Sequence, residues 1–233
     1  MATKRSKRYQ AAAKLVDAKK VYAWKEAVSV LKQFAPTKSD QTIELSFKLG
    51  VDPKQSDQMV RGTVALPHGS GKNVRVLVFA KGAAAEAAKA AGAEYVGFED
   101  LIAKVTEGFQ GFDVAVATPD AMTEVRKLGK VLGPRGLMPN PKTGTVTADT
   151  AKAVKECKAG RVEFKLDKAA NLHVTCGKIS FSPEAIMDNG RAVIEGVIRS
   201  RPATAKGKFI ENIVLSGTFT PGIKIDIAPF LSA

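Results

Sequence analysis

The sequence predicts a two-domain chain of mixed α/β and α+β class, with a discontinuous α+β domain built from both termini and an α/β domain inserted between them. Three observations carry this. Alternating apolar and polar residues, the pattern of strands with one wet face, occur towards both ends of the chain. The middle instead holds nearly continuous apolar runs separated by helical stretches, as buried parallel strands require. The length of 233 residues exceeds the roughly 100 to 200 of a typical single domain.

Taken in order, Trp24, Ala27, Val28 and Leu31 have helical spacing. Over 42–49, Ile43, Leu45, Phe47 and Leu49 alternate with Thr42, Glu44, Ser46 and Lys48, which predicts a half-buried strand. Asp52 and Pro53 supply a turn and a second strand is expected over 59–66. Pro67, His68, Gly69, Ser70 and Gly71 then punctuate the chain, and a domain crossing is expected there. Beyond it lie an apolar run at 74–80, an alanine-rich helix at 83–91 stopped by Gly92, a strand at 95–97, a helix near 99–106, a strand at 114–117 and a helix opened by Thr118, Pro119 and Asp120. This alternation predicts a small Rossmann-like layered domain. Residues 128–147 span 20 positions with four glycines and three prolines, longer than the about 12 to 15 beyond which a structureless loop is usually functional or disordered.

After Gly160 the alternation returns. Val162, Phe164 and Leu166 alternate with Arg161, Glu163 and Lys165, and Leu172, Val174 and Cys176 alternate with Asn171, His173 and Thr175. Ser182 and Pro183 open a helix that turns Ile186, Val193 and Val197 inward, followed by strands near 209–216 and 223–227. The expected domains are 1–68 and 160–233 together, with 69–159 inserted, because insertions survive where the ends of the inserted piece lie close together.

Charge narrows the function classes. The 36 Lys and Arg against 23 Asp and Glu leave +13, the balance of a protein with a polyanionic partner. Residues 1–70 carry +7, 71–159 carry +3 and 160–233 carry +3, so the excess lies mostly at the ends. No apolar run approaches the roughly 20 residues of a bilayer crossing, and the start leads into no signal-peptide core, which predicts a cytoplasmic protein without a membrane partner. Cys157 and Cys176 have no neighbouring Cys or His at ligand spacing, so neither a zinc site nor a disulfide framework is indicated.

Catalytic patterns are missing. Gly69, Ser70, Gly71 and Lys72 hint at a phosphate loop, but its first glycine would fall at Leu66 and its metal-binding hydroxyl at Asn73. The two histidines, His68 and His173, sit in no nucleophile or metal pattern, and Glu99 and Asp100 are adjacent helix-start charges that do not face each other. No cofactor, metal or small-molecule substrate is expected. Thr42, Glu44, Ser46 and Lys48, joined by Lys165, Lys168, Lys206 and Lys208, fit an RNA-binding platform and the plain solvated side of a sheet equally well. Few aromatics interleave with these charges, so recognition of the shape or backbone of folded RNA suits them better than base stacking; the same charge would serve DNA.

From 128 the segment Leu128-Gly-Lys-Val-Leu-Gly-Pro-Arg-Gly-Leu-Met-Pro-Asn-Pro-Lys-Thr-Gly-Thr-Val146 resembles the signature of the bacterial large-subunit ribosomal protein L1 family. The resemblance extends through Lys48-Leu-Gly-Val-Asp-Pro, Val60-Arg-Gly-Thr-Val, Leu66-Pro-His-Gly-Ser-Gly-Lys72, Phe112-Asp-Val, Ala117-Thr-Pro-Asp120 and Lys158-Ala-Gly-Arg-Val-Glu-Phe164, almost the whole chain. It implies a non-enzymatic protein whose terminal halves bind the stalk region of 23S ribosomal RNA in the large ribosomal subunit, forming a mobile stalk beside the exit site and assisting release of deacylated tRNA. It further implies repression of translation from the protein's own mRNA leader.

The family's RNA-facing positions fall on Lys38, Thr42, Glu44, Lys48, Lys165, Lys168 and Thr218. Two places depart from the pattern: Ser39 stands where an aromatic is usual, and the Thr-Met-Gly-Pro motif reads Thr218, Phe219, Thr220, Pro221. Loss of that glycine implies a looser or rearranged contact, since glycine permits close approach or positive φ, while Phe219 can lie against a ribose or base as methionine would. A nucleotide-using α/β enzyme and a general nucleic-acid chaperone are the remaining alternatives.

Overall fold

The computed structural model describes residues 5–231; residues 1–4 and 232–233, which the sequence reading assigns to the terminal halves, lie outside it. The first half contributes α1 (Lys7–Lys14), α2 (Trp24–Lys32), β1 (Thr42–Leu49) and β2 (Arg61–Ala65). The middle contributes β3 (Val76–Phe79), α3 (Ala83–Ala90), β4 (Tyr95–Gly97), α4 (Glu99–Thr106), β5 (Val114–Ala117), the single turns α5 (Met122–Val125) and α6 (Gly129–Leu132), and α7 (Thr150–Lys158). The last part contributes β6 (Arg161–Lys165), β7 (Asn171–Lys178), α8 (Pro183–Arg199), β8 (Ile210–Gly217), β9 (Ile223–Ile225) and α9 (Ala228–Leu231). Two compact units result: the described residues up to Gly71 together with those from Val162 onward, and Lys72–Arg161. The divisions fall a few residues later than the expected 68/69 and 159/160.

In the terminal-half unit, a four-stranded sheet runs β7-β1-β8-β9, with every neighbouring pair antiparallel. Ile43, Leu45, Phe47 and Leu49 point to one side and are buried there with Leu172, Val174, Ile213 and Leu215. Ala27, Val28 and Leu31 of α2 and Ile186, Val193, Ile194 and Val197 of α8 complete this core. Each large side chain so buried contributes about 1.5–3 kcal/mol, which locks the strand face because a one-residue slip would expose the whole set. The Ser182 Oγ accepts the Ala185 N–H at 3.2 Å and Pro183 occupies the first turn, which starts α8 where the cap chemistry predicts.

The crossing out of this unit is fastened by a buried amide. Asn189 on α8 is fully buried, donates to the carbonyls of Gly69 at 3.0 Å and Cys176 at 2.9 Å, and accepts the His68 N–H at 2.9 Å. Strands β2 and β6 pair with each other, and Arg61 Nε donates to Glu163 at 2.8 Å across the pair, so the outgoing and returning chain segments are neighbours.

The inserted unit is a parallel sheet of order β4-β3-β5. All four residues of β3 are buried, Leu77 and Phe79 towards Leu101, Val105, Val125 and Leu132, Val76 and Val78 towards Ala88, Ala153, Val154 and Cys157. Helices therefore cover both faces, as the continuous apolar runs require.

Several elements differ from expectation. Residues 128–147 are not structureless: α6 and 3₁₀ turns at Arg126–Leu128 and Pro141–Thr143 occupy much of the region, with Leu128, Leu132 and Thr143 buried. Ala117 N–H donates to the Thr145 carbonyl at 2.9 Å and Thr147 N–H to the Ala117 carbonyl at 3.1 Å, seating Val146 beside β5. That bonding is long-range, so glycine and proline content does not reveal it. The helix expected from Thr118 begins at Met122 and runs on as α5, the 3₁₀ turn Arg126–Leu128 and α6 to Leu132. Helix α1 carries no strong apolar stripe in sequence and buries only Ala12.

Candidate nucleic-acid interface

The side of the sheet away from α2 and α8 carries the polar members of each strand. In register, Thr42, Glu44, Ser46 and Lys48 of β1 lie beside Lys178, Thr175, His173 and Asn171 of β7. On the other flank Glu44, Ser46 and Lys48 face Ser216, Val214 and Asn212 of β8, and Val214 faces Lys224 of β9. Antiparallel pairing thus converts the period-2 alternation of separate segments into one shared face, polar at these positions except Val214. Its members hold one another: Lys178 Nζ donates to Thr42 Oγ1 at 3.0 Å, and Ser46 Oγ and His173 Nδ1 are 3.0 Å apart.

The expected site residues gather at the two ends of β1, about 20 Å apart at the rise of an extended strand. At the Thr42 end, Thr218 N–H and Oγ1 donate to the Thr42 carbonyl at 3.1 and 3.3 Å, and Thr42 N–H donates to Thr218 Oγ1 at 3.2 Å. The next turn is tied by side chains: Gln41, almost fully buried, accepts the Phe219 N–H through Oε1 at 3.0 Å, and the Thr220 hydroxyl accepts the Gly217 N–H at 2.7 Å. Thr220 has no positive φ. The turn is therefore closed by the threonine hydroxyl without a left-handed residue at Thr220. Phe219 is left 46% exposed. Lys38 lies exposed in the loop before Gln41, where Thr37 Oγ1 donates to the Ser39 carbonyl at 2.6 Å. Nearby, Lys32 Nζ donates to the Ile179 and Phe181 carbonyls, and burial lowers its pKa.

At the Lys48 end, Lys48 Nζ donates to the Ala169 carbonyl at 2.6 Å, placing it against the β6–β7 turn that bears exposed Lys168. Asp167 shapes this turn by accepting the N–H groups of Ala169 at 2.8 Å and Asn171 at 2.7 Å. The Asn171 N–H bond is the main reason its carboxyl titrates below the ordinary value. Lys165 is exposed and shares a shallow recess with Met59, Pro53 and Lys168. Lys206 and Lys208 are exposed in the loop before β8; Arg201 braces that loop by donating to the Ala205 and Gly207 carbonyls at 3.1 Å each, and Gly50 donates to the Phe209 carbonyl at 2.8 Å.

Sequence reasoning missed Lys178, Lys224 and Gln41. The alternation in β7 was legible, but its neighbour was not, because register is set by residues more than 120 positions apart.

The inserted unit offers a contrast. At the carboxyl ends of its parallel strands, where such sheets bind ligands, a recess is lined by Lys81, Phe98, Glu99, Thr118, Asp120 and Glu124. Carboxylates outnumber cations there, and Lys81 is already engaged by Glu99 at 3.2 Å and by the Phe98 ring at 3.9 Å, a poor setting for nucleotide phosphates. Among the described residues, no group of His, Cys, Asp and Glu is placed to hold a metal, and no helix is long and apolar enough to cross a membrane.

Comparison with known proteins decides the family. The model of the ribosomal protein L1p/L10e family matches residues 31–221. Over 223 residues the chain is 56% identical to the large ribosomal subunit protein uL1 of Pseudarthrobacter chlorophenolicus, covering 96% of this chain and 95% of that one. It is similarly 54% identical to uL1 of Clavibacter michiganensis subsp. michiganensis, covering 96% and 98%, and 56% identical to uL1 of Arthrobacter sp. strain FB24, covering 96% and 95%. The chain belongs to the ribosomal protein L1p/L10e family. This is a family of structural ribosomal components, not of enzymes. In this L1-family chain the glycine- and proline-rich segment 128–146 belongs to the inserted unit, whereas the polar sheet face belongs wholly to the terminal halves.

Proposed function

We propose that the chain is a cytoplasmic structural constituent of the large ribosomal subunit that binds the stalk region of 23S ribosomal RNA through the outer face of the β7-β1-β8-β9 sheet. Thr42, Glu44, Lys48 and Thr218 form the face, with Lys38, Phe219 and Thr220 at one end and Lys165, Lys168, Lys206 and Lys208 towards the other. The supporting observation is the register that joins polar side chains from four strands into one surface. Hydroxyls and amides there suit sugar and phosphate oxygens, and Lys48 and Lys168 suit phosphate charge. In this reading the protein forms the mobile stalk beside the exit site and assists release of deacylated tRNA. A leader of its own mRNA that mimics the ribosomal site would compete for the same face and repress translation.

The test is a titration of the full chain with a stalk RNA fragment across salt concentrations. Lys48→Ala and Lys165→Ala are each expected to weaken binding and to reduce the slope of log affinity against log salt by about 0.7–0.9 per lost phosphate contact. Unchanged affinity and slope in both variants would falsify the assignment of this face.

A further inference from the structure

Helix α1 lies outside the residues matched by the family model, yet it forms one wall of an open recess of about 510 Å³ at the Thr42 end of the sheet. Arg5, Ser6, Arg8 and Tyr9 line one side, and Thr218, Phe219 and Thr220 line the other. The Arg8 guanidinium lies 5.3 Å from the centre of the Phe219 ring, and that of Arg5 lies 4.3 Å from the centre of the Tyr9 ring. Both arginines are exposed, and no acidic side chain is among the described residues that line the recess. The backbone that carries Phe219 is fixed, because Gln41 accepts its N–H and the Thr220 hydroxyl closes the turn behind it.

An exposed aromatic ring on a fixed turn, beside one guanidinium group and in the same recess as a second, has the chemistry of a nucleotide site. The ring accepts a base or ribose by contact with its π-face, and each planar guanidinium can donate in pairs to phosphate oxygens. We propose that this recess is a separate subsite for one unpaired nucleotide of the bound RNA, with the base or ribose against Phe219 and the flanking phosphates on Arg5 and Arg8. The proposal rests on the reading that the sheet face binds RNA, and it adds α1 to that interface. It also gives Phe219 a role that methionine, the family residue, fills less well: a flat ring between an arginine and a base.

The experiment uses the full chain and the same stalk RNA fragment, with Lys165→Ala as the reference for the sheet face. The double variant Arg5→Ala/Arg8→Ala is expected to reduce the salt slope by about 1.4, two contacts at about 0.7 each for an unpaired strand. Phe219→Ala is expected to lower affinity about tenfold with the slope unchanged, since stacking releases no counterion. Arg8→Lys, which keeps the charge and preserves α1, should retain the slope. If Lys165→Ala weakens binding while the arginine double variant keeps the parent slope, or Phe219→Ala binds like the parent, the subsite is overturned and the sheet reading stands. If the parent binds the stalk fragment no better than an unrelated RNA of equal length, the sheet reading fails and the subsite fails with it.

Discussion

Asp167 organises the Lys48 end of the face from a position that carries no contact to RNA in the reading above. One carboxylate oxygen receives two backbone N–H groups, and Ala170 next to them is the only non-glycine residue described with positive φ, at 60°. The left-handed conformation costs a residue other than glycine about 1–2 kcal/mol, so the carboxylate bonds help offset local strain. Because the folded pKa is depressed, the stabilisation is fully present above the unfolded value near 3.8 and is lost as pH falls through the lower folded value. Asp167→Ala is expected to lower stability by about 1 kcal/mol at pH 7. Thermal melts of parent and variant should therefore differ at pH 7 and converge towards pH 3; a gap as wide in acid as at neutrality would contradict the proposed role of the ionised carboxylate. At the same scale, Thr220 stands where the family motif has glycine, and its hydroxyl accepts the Gly217 N–H to close the turn without positive φ.

Among the elements, α8 carries the core and ties the crossing to it. Its mid-helix Gly190 lies flat against the Trp24 ring, and a Cβ there would overlap the indole. Trp24 is itself fixed by its Nε1 donating to the Met187 carbonyl at 3.3 Å and by an edge-on contact with Phe230 at 6.5 Å between ring centres. Gly190→Ala raises helix propensity but forces α2 away from α8, a net cost of about 1–3 kcal/mol from overpacking. Because Trp24 is the single tryptophan, its fluorescence reports the displacement directly. A variant with raised melting temperature and an unshifted emission maximum would show that the helix pair accommodates the added methyl without strain, against this expectation. Strand β1 and helix α8 were legible in the sequence because alternation and cap chemistry are local signals. Helix α1 was not: it is rich in charge and buries a single alanine, so its position depends on what it packs against.

For the whole molecule, the terminal halves carry +10 and the middle +3, matching an assignment of RNA binding to the former. The pairing of β2 with β6 and the Asn189 clasp on His68 and Gly69 hold both crossings on the terminal-half core. Replacing residues 73–160 with a short glycine and serine linker is therefore expected to leave a folded α+β domain that retains most of its affinity for stalk RNA. Circular dichroism and the salt titration check this together. An unfolded fragment would show that the terminal halves depend on the insert, and a folded fragment indifferent to the stalk RNA would place binding elsewhere.

By itself the sequence determined the family, the class of each half, the half-buried strand at 42–49, the capped start of α8 and the excess of positive charge at the ends, all of which are encoded in runs of neighbouring residues. Only the tertiary structure decided that Lys178 lies beside Thr42, that Gln41 holds the Phe219 turn, that Lys48 reaches the Ala169 carbonyl and that Arg8 of α1 stands over Phe219. Each of these joins segments far apart in the chain through hydrogen bonding and packing, and one strand's side-chain period says which of its residues face water without saying which other strand's residues they will meet there.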